Sequence, residues 1–566
     1  MLTVPSSAPF SSPGGSWLRR LRAPRQASVH QLVLASAVYW VLTANGSFWA
    51  AALRGRVWGD ASTWGYAAAV GVALGALHVL LVLPLCNRWT VKPLLALLMA
   101  GSALAGYTMS AYGIYLDPAM LRNLLHTHPA EAGELLNASL LGHLALHAGL
   151  PLALLCRVRV EPVPWRRALG RRLALMAGAA LALVAALLLV FQPLASLMRN
   201  HKEVRYLVTP ANYVWSAAAV VVADARGAAA PRQPIGLDAA PGPSWTRRSR
   251  PMIVLLVIGE TARAANWGLS ASGRQTTPDL ARLPVIDFAG TRACGTSTEV
   301  SLPCMFAPVG RRDYDEGRIR SHESQLHVAA RAGVAVHWRD NQSGCKGVCD
   351  RLPTERVTVF DGVGCGDGSC PDAALFADLD QRLQAASGTQ LWVLHMIGSH
   401  GPSYHRRYPP AFARFQPACQ EDDLQRCSPQ QIRNAYDNSV LYTDHVLASA
   451  IARLQAHAGA VDTALVYVSD HGESLGEGGL YLHGLPYAIA PDTQTHVPMT
   501  MWFSDGLESA AGLRPGCLRP TLVRSARTAV THDHLFHTLL GLLDVHSAVR
   551  EEDWNLLGGC AVAPAR

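Results

Sequence analysis

The chain has 566 residues, half of them apolar and only 16% charged, with a formal net charge of +8 at pH 7. That length has room for more than one domain, and the apolar excess over an ordinary soluble protein is confined to the first third. In the first third the basic residues fall mainly in the short stretches flanking the apolar runs, so the charge says more about membrane topology than about nucleic acid, which is not expected as a partner. In chain order, Val29 to Leu53, Thr63 to Leu85, Val91 to Gly113, Leu135 to Cys156 and Leu173 to Ala195 are each long enough for a bilayer, at about 20 residues per crossing. His78, His143 and His147 within these runs would suit buried soluble helices, but no run carries an Asp, Glu, Lys or Arg in its interior. Five membrane helices are therefore expected over residues 29–197.

Residues 1–28 are expected in the cytoplasm. Arg19, Arg20, Arg22 and Arg25 precede the first run, Arg88 and Lys92 follow the second, and Arg157, Arg159, Arg166, Arg167, Arg171 and Arg172 follow the fourth. The opposite loops hold only Arg54, Arg56 and Arg122, so five crossings leave the long C-terminal part outside. Ala35-Ser36-Ala37 looks like a cleavage site, yet the apolar run continues past it, which favours an uncleaved signal anchor. Between the third and fourth runs, Asn123, Thr127 and Glu131 are four apart and share one face of a helix, which Pro129 weakens. Residues 198–250 read as interfacial helices to about Val222 and then a linker rich in Pro, Gly, Ala and Arg.

From 251 to 566 strand-like runs alternate with helical ones, the pattern of an α/β domain with a mainly parallel sheet. Helices are expected over 325–332, 373–386 and 430–455 and a strand over 334–338. Several strand-like runs end in metal-ligand side chains. Ile253 to Ile258 leads to Glu260, Leu391 to Leu394 leads to His395 and His400, and Ala464 to Val468 leads to Asp470 and His471, with His483 following. Ligands at the C-terminal ends of parallel strands converge in one crevice. A single His there is most often structural; the combination of carboxylate, imidazole and hydroxyl suits Zn²⁺. The hydroxyl is expected from Thr298, in the hydroxyl-rich loop between Cys294 and Cys304, as a nucleophile that needs a metal or base to act at neutral pH. Ten of the twelve cysteines lie in this part, as Cys294/Cys304, Cys345/Cys349, Cys365/Cys370 and Cys419/Cys427, with Cys517 and Cys560 left over. Their spacing does not suit a closed zinc site, so disulfides in an oxidising compartment are expected, with the pairing of the last two left open.

The strings IGETARAANWGLS, RQTTP, CGTSTEVSLPCMF, SHGP, NAYDNS and YVSDHGESLGEGGLYLHG occur in order from Ile258 to Gly484. In these the chain resembles the lipid A phosphoethanolamine transferases, which include the mobile colistin-resistance enzymes. The resemblance extends to the membrane half. It implies a five-span α-helical membrane domain plus an outer α/β domain of alkaline phosphatase and sulfatase type. It also implies a multi-pass inner-membrane protein whose catalytic domain is periplasmic. Zinc would be held by Glu260, Thr298, Asp470 and His471; His400 and His483 would bind the substrate phosphate or a second zinc; and Lys346 and His395 would lie on the phosphate side. Asn123, Thr127 and Glu131 would bind the lipid donor, phosphatidylethanolamine, and lipid A would accept the phosphoethanolamine from Thr298. Two departures from the family, Ala271-Ser272 and Glu299, bear on acceptor choice more than on the chemistry. A sulfatase is disfavoured because Cys427-Ser-Pro-Gln-Gln431 lacks the Arg of the modified motif. A glycerol-phosphate transferase fits the paired cysteines poorly, and a sensor would not need every ligand. A phosphodiesterase, or another envelope acceptor, stays open.

Overall fold

The computed structural model describes residues 25–127, 129–227, 231–270, 273–365 and 370–561. The readings that fall on residues 1–24, on Ala271 and Ser272, and on the side chain of Glu131 lie outside the described residues. The chain separates into two compact units, residues 25–106 with 142–211, and residues 107–141 with 212–561.

In the first unit and its boundary, Ala61–Leu85, Val91–Ala111, Ala138–Arg157 and Trp165–Leu189 are long and apolar enough to cross a membrane. Val29–Ala44 and Gly46–Ala52 make a fifth only if taken together, because they meet at a 64° bend. The uninterrupted run expected there is broken at Asn45, whose buried side-chain amide donates to the carbonyls of Trp40 and Thr209 at 2.8 and 2.7 Å. Such a side chain takes carbonyls out of the helical ladder, and the preceding turn, Trp40–Ala44, is a π-helix. The last span is also displaced from the expected Leu173 to Ala195. Its helix begins at Trp165, so Arg166, Arg167, Arg171 and Arg172 occupy its first two turns, and it ends at Leu189. A new helix, Phe191–Asn200, restarts with Pro193 in its first turn. A proline there has no N–H for the carbonyl of Leu189, which is where the first helix stops.

The second unit is built on one sheet of seven strands: β1 Met252–Gly259, β2 Ile286–Arg292, β3 Ala335–Asp340, β4 Thr354–Arg356, β5 Thr389–His395, β6 Asp462–Ser469 and β7 His496–Phe503. Their spatial order is β2-β7-β6-β1-β5-β3-β4. Neighbours are parallel from β6 to β4, while β7 is antiparallel to both β6 and β2. The continuous apolar runs that announced β1 and β6 are the central strands, and every residue of both is buried, as a sheet covered on both faces requires. The expected helix over 325–332 is Gln325–Arg331, and that over 430–455 is Pro429–Ala456, with a Ser428/Gln431 capping box at its start. The one expected over 373–386 is instead a 3₁₀ turn, Asp372–Phe376, followed by Leu379–Gln384.

Two stretches pack differently from their sequence reading. Residues 231–250, read as a linker, are seated on the domain: Trp245 Nε1 donates to the Leu543 carbonyl and the Ser244 amide to Asp544 Oδ2, each at 2.9 Å. The loop between the third and fourth runs, residues 114–134, groups with the α/β unit as part of the longer segment 107–141. It contains α1, Pro118–His126, capped by Asp117, and the short helix Pro129–Glu134. Arg122, 3% exposed, pairs with Asp224 and Glu316, and Arg407 donates to both oxygens of Glu134. These ion pairs fasten the segment to the domain at its middle and towards its C-terminal end. Among the described residues five disulfides form: the four close pairs that spacing suggested, and Cys517–Cys560, whose pairing the sequence left open.

Candidate active site

The register of the three central strands sets the site. Ile258 of β1 lies level with His395 of β5 and Val468 of β6, so the residues just past the strand ends, Glu260, Asp470 and His471, arrive together. Gly259 and Thr261 flank Glu260, and Leu482 precedes His483; Thr261 (φ 56°) and Leu482 (φ 61°) hold left-handed conformations uncommon outside glycine, which places the strain beside the site.

Thr298 is the first residue of α2, Thr298–Met305, with Ser297 in the cap position, so Thr298 is not itself the cap. Its hydroxyl donates to Glu260 Oε2 at 3.0 Å and lies 3.4 Å from His471 Nε2. His471 Nε2 is 3.2 Å from Glu260 Oε1 and 3.4 Å from Asp470 Oδ2. The other ring nitrogen of His471, Nδ1, donates to the Gly472 carbonyl at 2.9 Å, which fixes the ring with Nε2 turned to the centre. Asp470 is fixed by the backbone amides of His471 and Thr261 at 2.8 and 3.3 Å. Glu260, Asp470 and His471 are all fully buried.

Glu260 Oε1 and Asp470 Oδ2 have no hydrogen-bond partner among the described residues. Two buried carboxylate oxygens left so are costly without a cation. The ligand atoms of Glu260, Asp470 and His471 lie within 4.8 Å of one another, as do those of Glu260, His400 and His483. This donor set fits a divalent ion of zinc type. The electrostatics agree: burial lowers the pKa of His471, but Asp470 and Glu260 outweigh it and raise it to about 10, so the carboxylates draw a positive charge even from the imidazole. Burial, and then the charge of Asp470, push Glu260 up.

A cleft of about 680 Å³, counted with its open mouth, runs from Thr298. It is lined by Thr298, Gln342, Ser343, Lys346, His400 and His483, and by Met120, Asn123, Leu124 and Thr127 of the 107–141 segment. Burial drives the pKa of His400 and His483 well below the ordinary value, helped by His483 for His400 and by His471 for His483, so both present neutral rings. His483 Nδ1 is 3.3 Å from Glu473 Oε2, and burial raises the Glu473 carboxyl well above its usual range. Glu473 stood in the quoted motif without a role; only the fold shows that it orients His483. Arg407 Nε likewise donates to the His400 carbonyl at 2.8 Å.

Two expectations sit differently, the place of His395 and the shared helical face. His395 does not line the cleft; it is fully buried, with Nδ1 2.9 Å from Asp340 Oδ1 and Nε2 unpartnered among the described residues. Asn123 and Thr127 line the cleft, but the single helical face through Glu131 does not exist: Thr127 ends α1 in an extended conformation and hydrogen-bonds back to the Asn123 carbonyl at 2.7 Å. Pro129 starts the next helix, at a first position where a missing N–H costs nothing.

A sheet of this order with a carboxylate, histidine and threonine cluster at its C-terminal edge defines a sulfatase-type domain, and the sulfatase family profile matches residues 253–545. A second profile, phosphoethanolamine transferase EptA/EptB, matches residues 74–225. The chain is 38% identical over 496 residues to the phosphoethanolamine transferase EptA of Escherichia coli strain K12, covering 86% of this chain and 89% of the relative. It is 36% identical over 542 residues to the phosphatidylethanolamine transferase Mcr-1 of Escherichia coli, covering 94% and 96%. The solved integral membrane lipooligosaccharide phosphoethanolamine transferase A of Neisseria meningitidis matches with a TM-score of 0.88 at 34% identity, over 95% of this chain and all of that one. The chain belongs to the phosphoethanolamine transferase family, and the resemblance read from its motifs holds.

Proposed function

We propose that this enzyme transfers phosphoethanolamine from phosphatidylethanolamine to a phosphate of lipid A, in the inner membrane with its catalytic domain in the periplasm. The observation that carries the reading is the Thr298 hydroxyl, 3.0 Å from Glu260 and 3.4 Å from His471 in a buried group with two orphaned carboxylate oxygens. Glu260, Thr298, Asp470 and His471 would hold a zinc ion, which when bound lowers the pKa of the hydroxyl and offsets charge on the phosphoryl oxygens. Thr298 Oγ1 attacks phosphorus as the bond to the diacylglycerol oxygen breaks, leaving phosphoethanolamine esterified to the threonine. Lys346, with the neutral rings of His400 and His483, receives the phosphoryl oxygens, and Asn123 and Thr127 meet the lipid donor. A lipid A phosphate then displaces Thr298 from phosphorus and frees the hydroxyl. The five long apolar segments, with basic residues in alternate loops, support a five-span anchor, and both substrates are membrane lipids.

Mass spectrometry of lipid A from cells expressing the chain tests this. Added phosphoethanolamine that disappears with Thr298→Ala is the expected result. Unmodified lipid A with modified core sugars, glucan or glycoprotein would move the acceptor, and free phosphoethanolamine alone would make the protein a phosphodiesterase.

A further inference from the structure

Glu299 follows the nucleophile in α2 and is 1% exposed. Its Oε1 lies 2.9 Å from Arg320 Nη2 and 3.3 Å from His126 Nδ1. Its Oε2 has no hydrogen-bond partner among the described residues, and Lys346 Nζ stands 3.9 Å from it. Arg320 is shared with Glu316 at 2.9 Å, and Glu316 with Arg122, so that arginine does not belong to Glu299 alone. Lys346 lines the cleft beside Thr298, from a left-handed backbone (φ 48°) that the surrounding fold must impose.

A carboxylate this close to a phosphate site repels anions. A substrate that offers only a phosphate draws the Lys346 ammonium towards itself and leaves Oε2 buried with neither a hydrogen bond nor a full counter-charge. A substrate that carries its own cation near the phosphorus restores the balance. We propose that Glu299 is a specificity-determining residue that makes the cleft select phosphate esters whose head group is positively charged over anionic or neutral heads. The proposal rests on the reading that this cleft binds the phosphoryl donor.

The test is calorimetric titration of the zinc-loaded full chain in neutral detergent with O-phosphoethanolamine and with glycerol 3-phosphate, which differ chiefly in the ammonium. The parent should prefer phosphoethanolamine by about tenfold, and Glu299→Gln should cut the preference to about twofold or less, mainly by tightening glycerol phosphate. Gln keeps the volume, and Arg320 keeps Glu316. Lys346→Met, which leaves the carboxylate without its lysine, should instead raise the preference, and it serves should the Gln variant fail to fold. No preference in the parent, the same preference in Glu299→Gln, or a fall in Lys346→Met overturns the proposal. Transfer is assayed separately: selective binding without transfer would sink the functional reading alone, whereas transfer with a preference indifferent to Glu299 would sink this one alone.

Discussion

Replacing Gly398 by alanine should damage the metal site from behind. Gly398 has a φ of 53°, and a Cβ there would lie 2.5 Å from the Glu260 carbonyl oxygen, 2.9 Å from its nitrogen and 3.1 Å from its own Cβ. Relief requires the backbone of one segment to move by nearly 1 Å, and the Glu260 carbonyl also accepts from the Ser399 amide at 3.0 Å. The left-handed conformation costs alanine about 1–2 kcal/mol, and overpacking a tight site adds about 1–3 kcal/mol, so the loss should be roughly 2–5 kcal/mol. Metal ligands tolerate displacements of only about 0.2 Å, and Glu260 belongs to both ligand groups, so zinc should weaken beyond the loss of fold. Thermal unfolding and elemental analysis of the folded fraction measure the two effects. A midpoint lower by several degrees, at about 2–4 °C per kcal/mol for a domain of this order, with depleted zinc, is expected. Parental values for both would refute the reasoning, and a lowered midpoint with full zinc would refute the link from Gly398 to Glu260.

Thr298→Ala should stay folded and lose transfer while Thr298→Ser retains some, and peptide mapping after incubation with phosphatidylethanolamine should find the added mass on Thr298; a mass on Thr296 with an active Ala variant would contradict it. Glu260→Ala should carry no zinc beside a loaded parent, and an equally loaded variant would remove Glu260 from the site. Alkylation without reduction should label few of the ten cysteines beyond residue 251, and ten labelled would contradict the bridges. Burial holds the pKa of His537 down to about 4, below the 6.5 of an unfolded chain, so its contribution to stability is complete above pH 6.5 and is lost as pH falls towards 4. Urea midpoints should fall across that window, less steeply in His537→Gln; an unchanged slope in that variant would show that His537 does not titrate as described.

Much of this architecture is written in local pattern. Ile253–Ile258 and Ala464–Val468 read as central strands because strands buried on both faces must be apolar throughout, and the ligands follow at their ends because a parallel sheet gathers its C-terminal edges. The motif strings supplied Thr298, Glu260, Asp470 and His471, and close spacing supplied four of the five disulfides. What local pattern does not contain is which distant groups meet. Asn45 breaks an apolar run because its amide finds the carbonyl of Thr209, 164 residues away. His395 turns to Asp340 on the neighbouring strand and stays off the cleft wall. The 107–141 segment joins the α/β unit through Arg122 with Glu316 and Arg407 with Glu134, pairs that no periodicity announces. Glu299 looked like a departure in a motif; the fold buries it against Arg320 and Lys346, next to Thr298. Hydrophobic periodicity reports which face of an element is buried, whereas the partner of a buried charge depends on chain closure over hundreds of residues and exists only once the fold has formed.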